Sequence, residues 1–145
     1  MGLEEKTVER EIEGRMFRAW PMAWGIGRPA LVKLMGILSP VLSGVFRGGT
    51  PGEATAAVFD ALPSALSDAD LTYFAKAFGD ASHVKVGDQW VPLVEQNQST
   101  QFAADYLGFF RWLVFCAEVN FGGFFAGVMK GGSGAEFLKK IAVQS

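Results

Sequence analysis

The sequence predicts a mainly helical α+β domain with a long central helix near the carboxyl end and one or two small β-hairpins. Three observations lead to this fold class. The nearly uncharged stretch 102–129 holds seven of the thirteen phenylalanines, two short stretches alternate apolar and polar residues, and glycine makes up 18 of 145 residues. The length suits one domain. We expect a domain over residues 1–129, followed by a flexible glycine-rich linker and a short amphipathic tail over residues 130–145.

The first predicted element is a β-hairpin. Apolar and charged residues alternate over Lys6–Ile12, and the apolar pattern resumes over Met16–Trp20. The three residues Glu13–Arg15 contain a glycine and would form the connecting turn. Pro21 then ends the second strand.

The pattern becomes helical over Pro29–Phe46. The residues on its apolar face are Leu31, Leu34, Leu38, Leu42 and Val45. Pro40 has no backbone N–H and crowds the preceding turn, so we expect a kink or a break there. The composition of Arg47–Gly52 indicates a loop.

Two short helices are predicted next. The first covers Glu53–Leu62, with an apolar side formed by Ala54, Ala57, Val58 and Ala61. The second covers Asp68–Phe78, where Ser67 and Asp70 have the spacing of a capping box. The core face of the second helix would consist of Leu71, Phe74, Ala75 and Phe78.

A second hairpin is predicted from His83–Val86 and Gln89–Leu93. The Gly87-Asp88 pair between them suits a type I′ or II′ turn. Pro92 has no N–H to donate to a neighbouring strand. Its strand is therefore expected to lie at the edge of a sheet or to end at Pro92.

The long helix follows, with Ser99 or Thr100 as its predicted cap. At 3.6 residues per turn it has one broad apolar arc, formed by Phe102, Tyr106, Phe109, Phe110, Leu113, Ala117, Phe121 and Phe124. A helix that is apolar on nearly all sides is central in its domain, lies in a membrane or is covered by a partner. The membrane alternative is disfavoured because Arg111 and Glu118 fall inside the apolar run.

Candidate partner-binding residues lie off that arc. Trp112, Phe115 and Val119 either fill the core or form an exposed aromatic patch for a protein partner. Arg111 and Glu118 are two turns apart, which is too far for the usual adjacent-turn pair, so we expect each to pair with another element or another copy. Two residues of the tail, Phe137 and Leu138, would add apolar surface, and uncovered surface of this kind predicts self-association.

Several function classes find no support in the sequence. A lone histidine, His83, and a lone cysteine, Cys116, cannot form a zinc site, and neither belongs to a catalytic constellation. The glycine pairs lack the rest of any phosphate-loop pattern. A net charge of −2 without basic blocks does not suit nucleic acid. The sequence therefore predicts no enzyme, cofactor, metal, nucleic-acid partner or membrane partner.

The order of elements resembles that of phage tail assembly chaperones of long-tailed bacteriophages. The resemblance is carried by EIEGRMFRA, LVKLMGILSPVLSG, LPSALSDADLTYF, VKVGDQWVPL and QFAADYLGFFRWLVFCAEVNFGGFFAG, and it covers roughly residues 9–127.

The resemblance implies a non-enzymatic function. Such a chaperone acts in the host cytoplasm, binds the apolar helical tape-measure protein, keeps it soluble, recruits major tail protein and is absent from the mature virion. A frameshifted longer form occurs in many relatives. The alternative is a structural neck or tail-completion component, which would use the same apolar surface for permanent contacts.

Overall fold

The computed structural model describes residues 6–45 and 51–130. Within these ranges the chain forms four strands and five helices, in the order β1 (Val8–Ile12), β2 (Arg15–Ala19), α1 (Trp24–Val45), α2 (Pro51–Ala65), α3 (Asp68–Gly79), β3 (Ser82–Val86), β4 (Gln89–Pro92), α4 (Glu95–Gln101) and α5 (Tyr106–Lys130). The predicted α+β, mainly helical fold class is confirmed. The predicted tail, with Phe137 and Leu138, lies outside the described residues.

Both predicted hairpins form, and they join into one antiparallel sheet with the strand order β1-β2-β3-β4. Glu13 and Gly14 both have positive φ angles, of 51° and 79°, as a type I′ turn requires. In the second hairpin only Gly87 does, at 62°, which fits a type II′ turn. The junction between the hairpins pairs Phe17 with Val84, and the sequence did not predict it.

The first long helix differs from the prediction at two prolines, Pro29, where it was expected to begin, and Pro40, where a kink or a break was expected. Helix α1 begins at Trp24, five residues before the predicted start, and it contains Pro29 and Pro40 without a break. Its first turn forms because the carbonyl of Ala23 accepts from the N–H groups of Ile26 and Gly27, at 2.9 and 2.8 Å. Pro40 is exposed and lies away from the buried face of the helix.

The two short helices follow the prediction in position but not in every face. Helix α2 begins at Pro51, which is acceptable at a first helical position, so the predicted loop ends earlier than expected. It buries Val58, Phe59 and Leu62, whereas Ala57 is exposed. The buried face of α2 is therefore the one that carries its large apolar side chains and not the predicted alanine-rich one. In α3, the predicted capping box of Ser67 and Asp70 is present, and Phe74 and Phe78 are buried as expected.

The long helix begins later than predicted. Residues 95–101 form the separate helix α4, and α5 begins at Tyr106. The true cap is Asp105, whose Oδ1 accepts from the N–H of Gly108 at 3.0 Å and whose carbonyl accepts from the N–H of Phe109. Neither Ser99 nor Thr100 caps α5. Ala104, with φ of 59°, makes the corner before it.

Helix α5 lies between the inner face of the sheet on one side and α2 and α3 on the other. It is the one helix among the described residues that is long and apolar enough to cross a membrane by length and composition. A buried core helix passes the same test, and the fully buried residues of α5 include Trp112, Leu113, Phe115 and Ala117. Its first residue, Tyr106, is exposed, so the predicted apolar arc was wrong at that end.

Candidate partner-binding groove

The aromatic residues that the sequence proposed as an exposed patch are core residues. Trp112 and Phe115 have 0% exposure, and Val119 is partly buried against the same core. The indole Nε1 of Trp112 donates to the hydroxyl of Ser82 at 3.2 Å. The prediction of an exposed patch is therefore wrong for Trp112 and Phe115, because the sheet and α2 cover both sides of α5. The alternative in which they fill the core is confirmed.

Arg111 and Glu118 pair as predicted, each with another element. The guanidinium of Arg111 binds the carboxylate of Glu13 in the first turn. The Oε2 atom of Glu118 accepts from Nη1 of Arg10 in β1, at 3.2 Å. These ion pairs are exposed, so each stabilises the fold by at most about 1 kcal/mol. Their effect is to hold the first hairpin against α5.

A third charged contact fastens the same hairpin to the start of α5. Arg15 donates from Nη2 to Oδ2 of Asp105 at 2.7 Å, and from Nη1 to the carbonyl of Gln101 at 2.7 Å. Its guanidinium also lies over the rings of Phe17 and Phe102. Asp105 thus serves as helix cap and as ion-pair partner. The position of the hairpin is thereby coupled to the position of the amino end of α5.

An open groove of about 540 Å³ lies where β1, α2 and the first half of α5 meet. Its apolar lining is formed by Ile12, Phe59, Pro63, Leu107, Phe110 and Val114. Its charged rim is formed by Arg10, Glu11, Glu13, Asp60 and Arg111. We call this surface the β1–α2–α5 groove. An apolar floor inside a mixed-charge rim is typical of a binding site for an apolar segment of a protein.

Leu107 is the residue of the groove that the sequence reading missed. Its side chain is 55% exposed although it is large and apolar, and it projects from the first turn of α5. Phe110 was assigned to the core arc but is only partly buried. Leu107 lies in the first turn of α5 and Phe110 directly after it, near the end of the helix that its neighbours cover least.

A second cavity, of about 700 Å³, lies on the outer face of the sheet beside Arg18, Trp20 and His83. Nε of Arg18 donates to Nδ1 of His83 at 2.9 Å, and the Trp20 ring meets the imidazole edge-on. Burial, and then the charge of Arg18, lower the pKa of His83 below its usual value. Within the described residues the imidazole contacts the Arg18 guanidinium and the Trp20 ring, and neither of these groups is a nucleophile that it could deprotonate.

The remaining chemical candidates are structural. Burial raises the pKa of the Cys116 thiol, so it stays protonated and unreactive. Within residues 6–45 and 51–130, no group of three histidine, cysteine, aspartate or glutamate side chains is placed to hold a metal.

Comparison with known proteins agrees with the resemblance noted in the sequence. A family model described as "Phage tail assembly chaperone protein, TAC" matches residues 13–134. The match includes every element from the first turn to the end of α5. No curated protein matches the chain significantly, and neither does any solved structure.

Proposed function

Because the chain belongs to the phage tail assembly chaperone family, we propose that it binds the apolar, helical tape-measure protein of a bacteriophage tail and keeps it soluble while the tail tube assembles. An assembly chaperone acts in the host cell during tail assembly. The family also favours a role without catalysis. Binding of major tail protein, self-association and absence from the finished virion are parts of the same proposal.

The observation that supports the proposal is the β1–α2–α5 groove. A chaperone must bind apolar side chains reversibly, which requires an apolar surface that its own core does not use. Leu107 and Phe110 provide such surface, and Phe59 forms part of the floor between them and α2. A client bound there would cover this apolar surface, and each Å² of apolar surface removed from water contributes about 25 cal/mol to the free energy of binding. The charged rim limits self-association of the chain through this groove.

Co-expression with the tape-measure protein tests the proposal. The variant Leu107→Asp with Phe110→Ser should fold, since neither side chain is fully buried, but should leave the tape-measure protein insoluble. The matched control is Val86→Asp in the second hairpin, because Val86 is exposed to a similar degree, 46% against 55% for Leu107, and lies outside the groove. Far-UV circular dichroism verifies folding. If the groove variant still solubilises the client, the groove is not the binding site.

Two further measurements address the finer parts of the proposal. Sedimentation of the purified chain with and without the groove substitutions tests self-association, which should weaken when Leu107 becomes charged. Mass spectrometry of purified virions should find no copies of the chain. Its presence there at fixed stoichiometry would identify a structural tail component.

The division into a domain over residues 1–129 and a linker with a tail over residues 130–145 is also part of the proposal; helix α5 ends at Lys130, one residue past that division. Removal of residues 131–145 should leave the stability of the domain unchanged, which thermal unfolding of the truncated chain would test.

A further inference from the structure

The outer edge of β1 is an open strand edge. In a hairpin closed by two residues, the flanking pair Ile12 and Arg15 exchanges hydrogen bonds, and the bonded pairs then recur at every second residue. The N–H and C=O groups of Glu9 and Glu11 therefore point away from β2. The bond from the N–H of Trp20 to the carbonyl of Ala81 fits this alternation on the other side of β2. No described strand pairs with β1 on its outer side.

The opposite edge of the sheet is interrupted at Pro92. The outward positions of β4 are Trp90 and Pro92, because Gln89 and Val91 bond to β3. Pro92 has no N–H, and its carbonyl already accepts from Nδ2 of Asn97 at 2.7 Å. Of the two edge strands in the described part of the chain, only β1 therefore offers an uninterrupted row of backbone groups to an added strand.

A second copy of the chain is a poor occupant of this edge. In a continuous sheet, directly opposite residues have side chains on the same face. If two copies of β1 paired, Glu9 or Glu11 of one copy would therefore lie opposite Glu9 or Glu11 of the other. Like charges directly opposite destabilise an antiparallel pair. In the register that places Glu9 opposite Glu11, Arg10 of one copy would also lie opposite Arg10 of the other. The charge pattern of β1 therefore works against self-pairing.

The same pattern suits a strand with basic residues at alternate positions. Basic side chains opposite Glu9 and Glu11 would pair with them on the outer face of the sheet. The intervening side chains would point to the inner face, where the β1–α2–α5 groove presents Leu107, Phe110 and Phe59. Arg10 does not block them, because it is held by Glu118 and lies over the ring of Phe115.

We propose that β1 binds an extended segment of the tape-measure client as a fifth strand, and that this segment alternates basic and apolar residues. The inference rests on the proposed function, since it uses the same groove floor, and adds the conformation and charge pattern of the bound segment. Backbone hydrogen bonds to the edge would provide affinity, and the alternating side chains would provide selectivity.

A labelled peptide that alternates lysine and valine provides the probe, with fluorescence anisotropy on the full chain as the measurement. The unmodified peptide should bind. N-methylation of one alternate set of its amides should abolish binding, whereas methylation of the other set should leave it unchanged, because only one set faces β1. Sensitivity of the lysine set would indicate an antiparallel addition, and sensitivity of the valine set a parallel one.

The charge pattern is tested with Glu11→Lys. Glu11 lies opposite Met16 in the hairpin, so the reversal meets no like charge across the strand pair. It should weaken the lysine peptide by about threefold to tenfold and strengthen a matched glutamate–valine peptide. The control is Asp88→Lys in the other turn, which changes the net charge equally and should have no effect beyond weak screening.

The outcomes separate this inference from the proposed function. Absence of peptide binding, or equal effects of the two methylation sets, would overturn strand addition even if the Leu107 and Phe110 substitutions abolish solubilisation of the client. A period-two methylation pattern would support strand addition even if those substitutions leave solubilisation intact, in which case only the assignment of client binding to Leu107 and Phe110 fails. Equal effects of Glu11→Lys and Asp88→Lys would overturn the charge pattern.

Discussion

The two hairpins have similar lengths, close with a two-residue turn and bury one face in the same core, with Phe17 in the first and Val84 in the second, but the first is also fastened by ion pairs. Charged side chains of the first hairpin reach α5 and its cap through Arg10, Glu13 and Arg15. The second hairpin is held by burial, with Ser82 1% exposed and bonded to Trp112, and Leu93 fully buried. Partly exposed ion pairs contribute little each, whereas buried aromatic packing contributes several kcal/mol. The comparison teaches that the side of the sheet with the groove and the open edge is the one where ion pairs to α5 and its cap are added to the buried contacts.

The largest expected effect is on the buried attachment. Trp112→Ala should lower the free energy of unfolding by about 3–5 kcal/mol, because it removes a fully buried indole and its hydrogen bond to Ser82. Urea unfolding gives the value. The control Tyr106→Ala, at a residue that is 74% exposed, should stay within about 0.5 kcal/mol of the wild type. Similar losses for both would mean that the indole does not anchor the second hairpin.

Gly79→Ala tests the same attachment from α3. A Cβ atom there would collide with the carbonyl of Leu93 and with Nε2 of Gln98, which itself bonds to the Leu93 and Ala75 carbonyls. We expect a loss of about 1–3 kcal/mol. Gly123→Ala in α5 is the matched control, because its added methyl meets open space, and it should stabilise the helix by up to about 1 kcal/mol. Thermal unfolding that ranks the two variants in the opposite order would refute the close approach.

Arg15→Ala tests the charged attachment. It removes the ion pair to Asp105 and the bond to the Gln101 carbonyl, so we expect a loss of about 1–2 kcal/mol, smaller in high salt. Arg15→Lys should recover only part of it, because lysine lacks the planar fork that reaches both acceptors. Unfolding at low and high salt measures both effects. A loss independent of salt would indicate that the apolar stem, not the charge, holds the hairpin.

The smallest expected effect concerns the junction of the two hairpins, where Arg18 donates to His83. The pKa of His83 is lowered in the folded state, so its contribution to stability is fully present above its usual pKa of 6.5 and is lost as the pH falls through the folded value. Stability should therefore decline modestly below about pH 6.5, and His83→Gln should flatten that decline. An unchanged pH profile in this variant would assign the decline to other groups.

Local features could be predicted from the sequence because neighbouring residues determine them. The first hairpin and the capping box of Ser67 with Asp70 depend on neighbouring positions, although the predicted turn of Glu13–Arg15 was one residue too long, because Arg15 belongs to β2. That Arg111 and Glu118 pair elsewhere followed from their spacing, but their partners, 98 and 108 residues away, could not be derived.

The burial of Trp112 and Phe115 was not predictable from helical periodicity. Periodicity identifies the most apolar side of a helix, and it does not show how many sides its neighbours cover. The same limit hid the groove, since periodicity alone does not distinguish Leu107, which is 55% exposed, from a core leucine. Asp105 was overlooked as the cap because it stands within an apolar stretch, past the polar residues Ser99 and Thr100.

The contacts of the first hairpin have a consequence for synthesis. Residues 8–19 leave the ribosome before the helices and the second hairpin, yet β2 pairs with β3 some 65 residues later, and Arg10 meets Glu118 after 108 residues. Pairings so distant along the chain close late and slowly. The contacts between β1 and α5 can therefore form only after nearly the whole domain has been translated. In a fragment that ends before α5, β1 would remain exposed and could pair with other chains, which leads to aggregation.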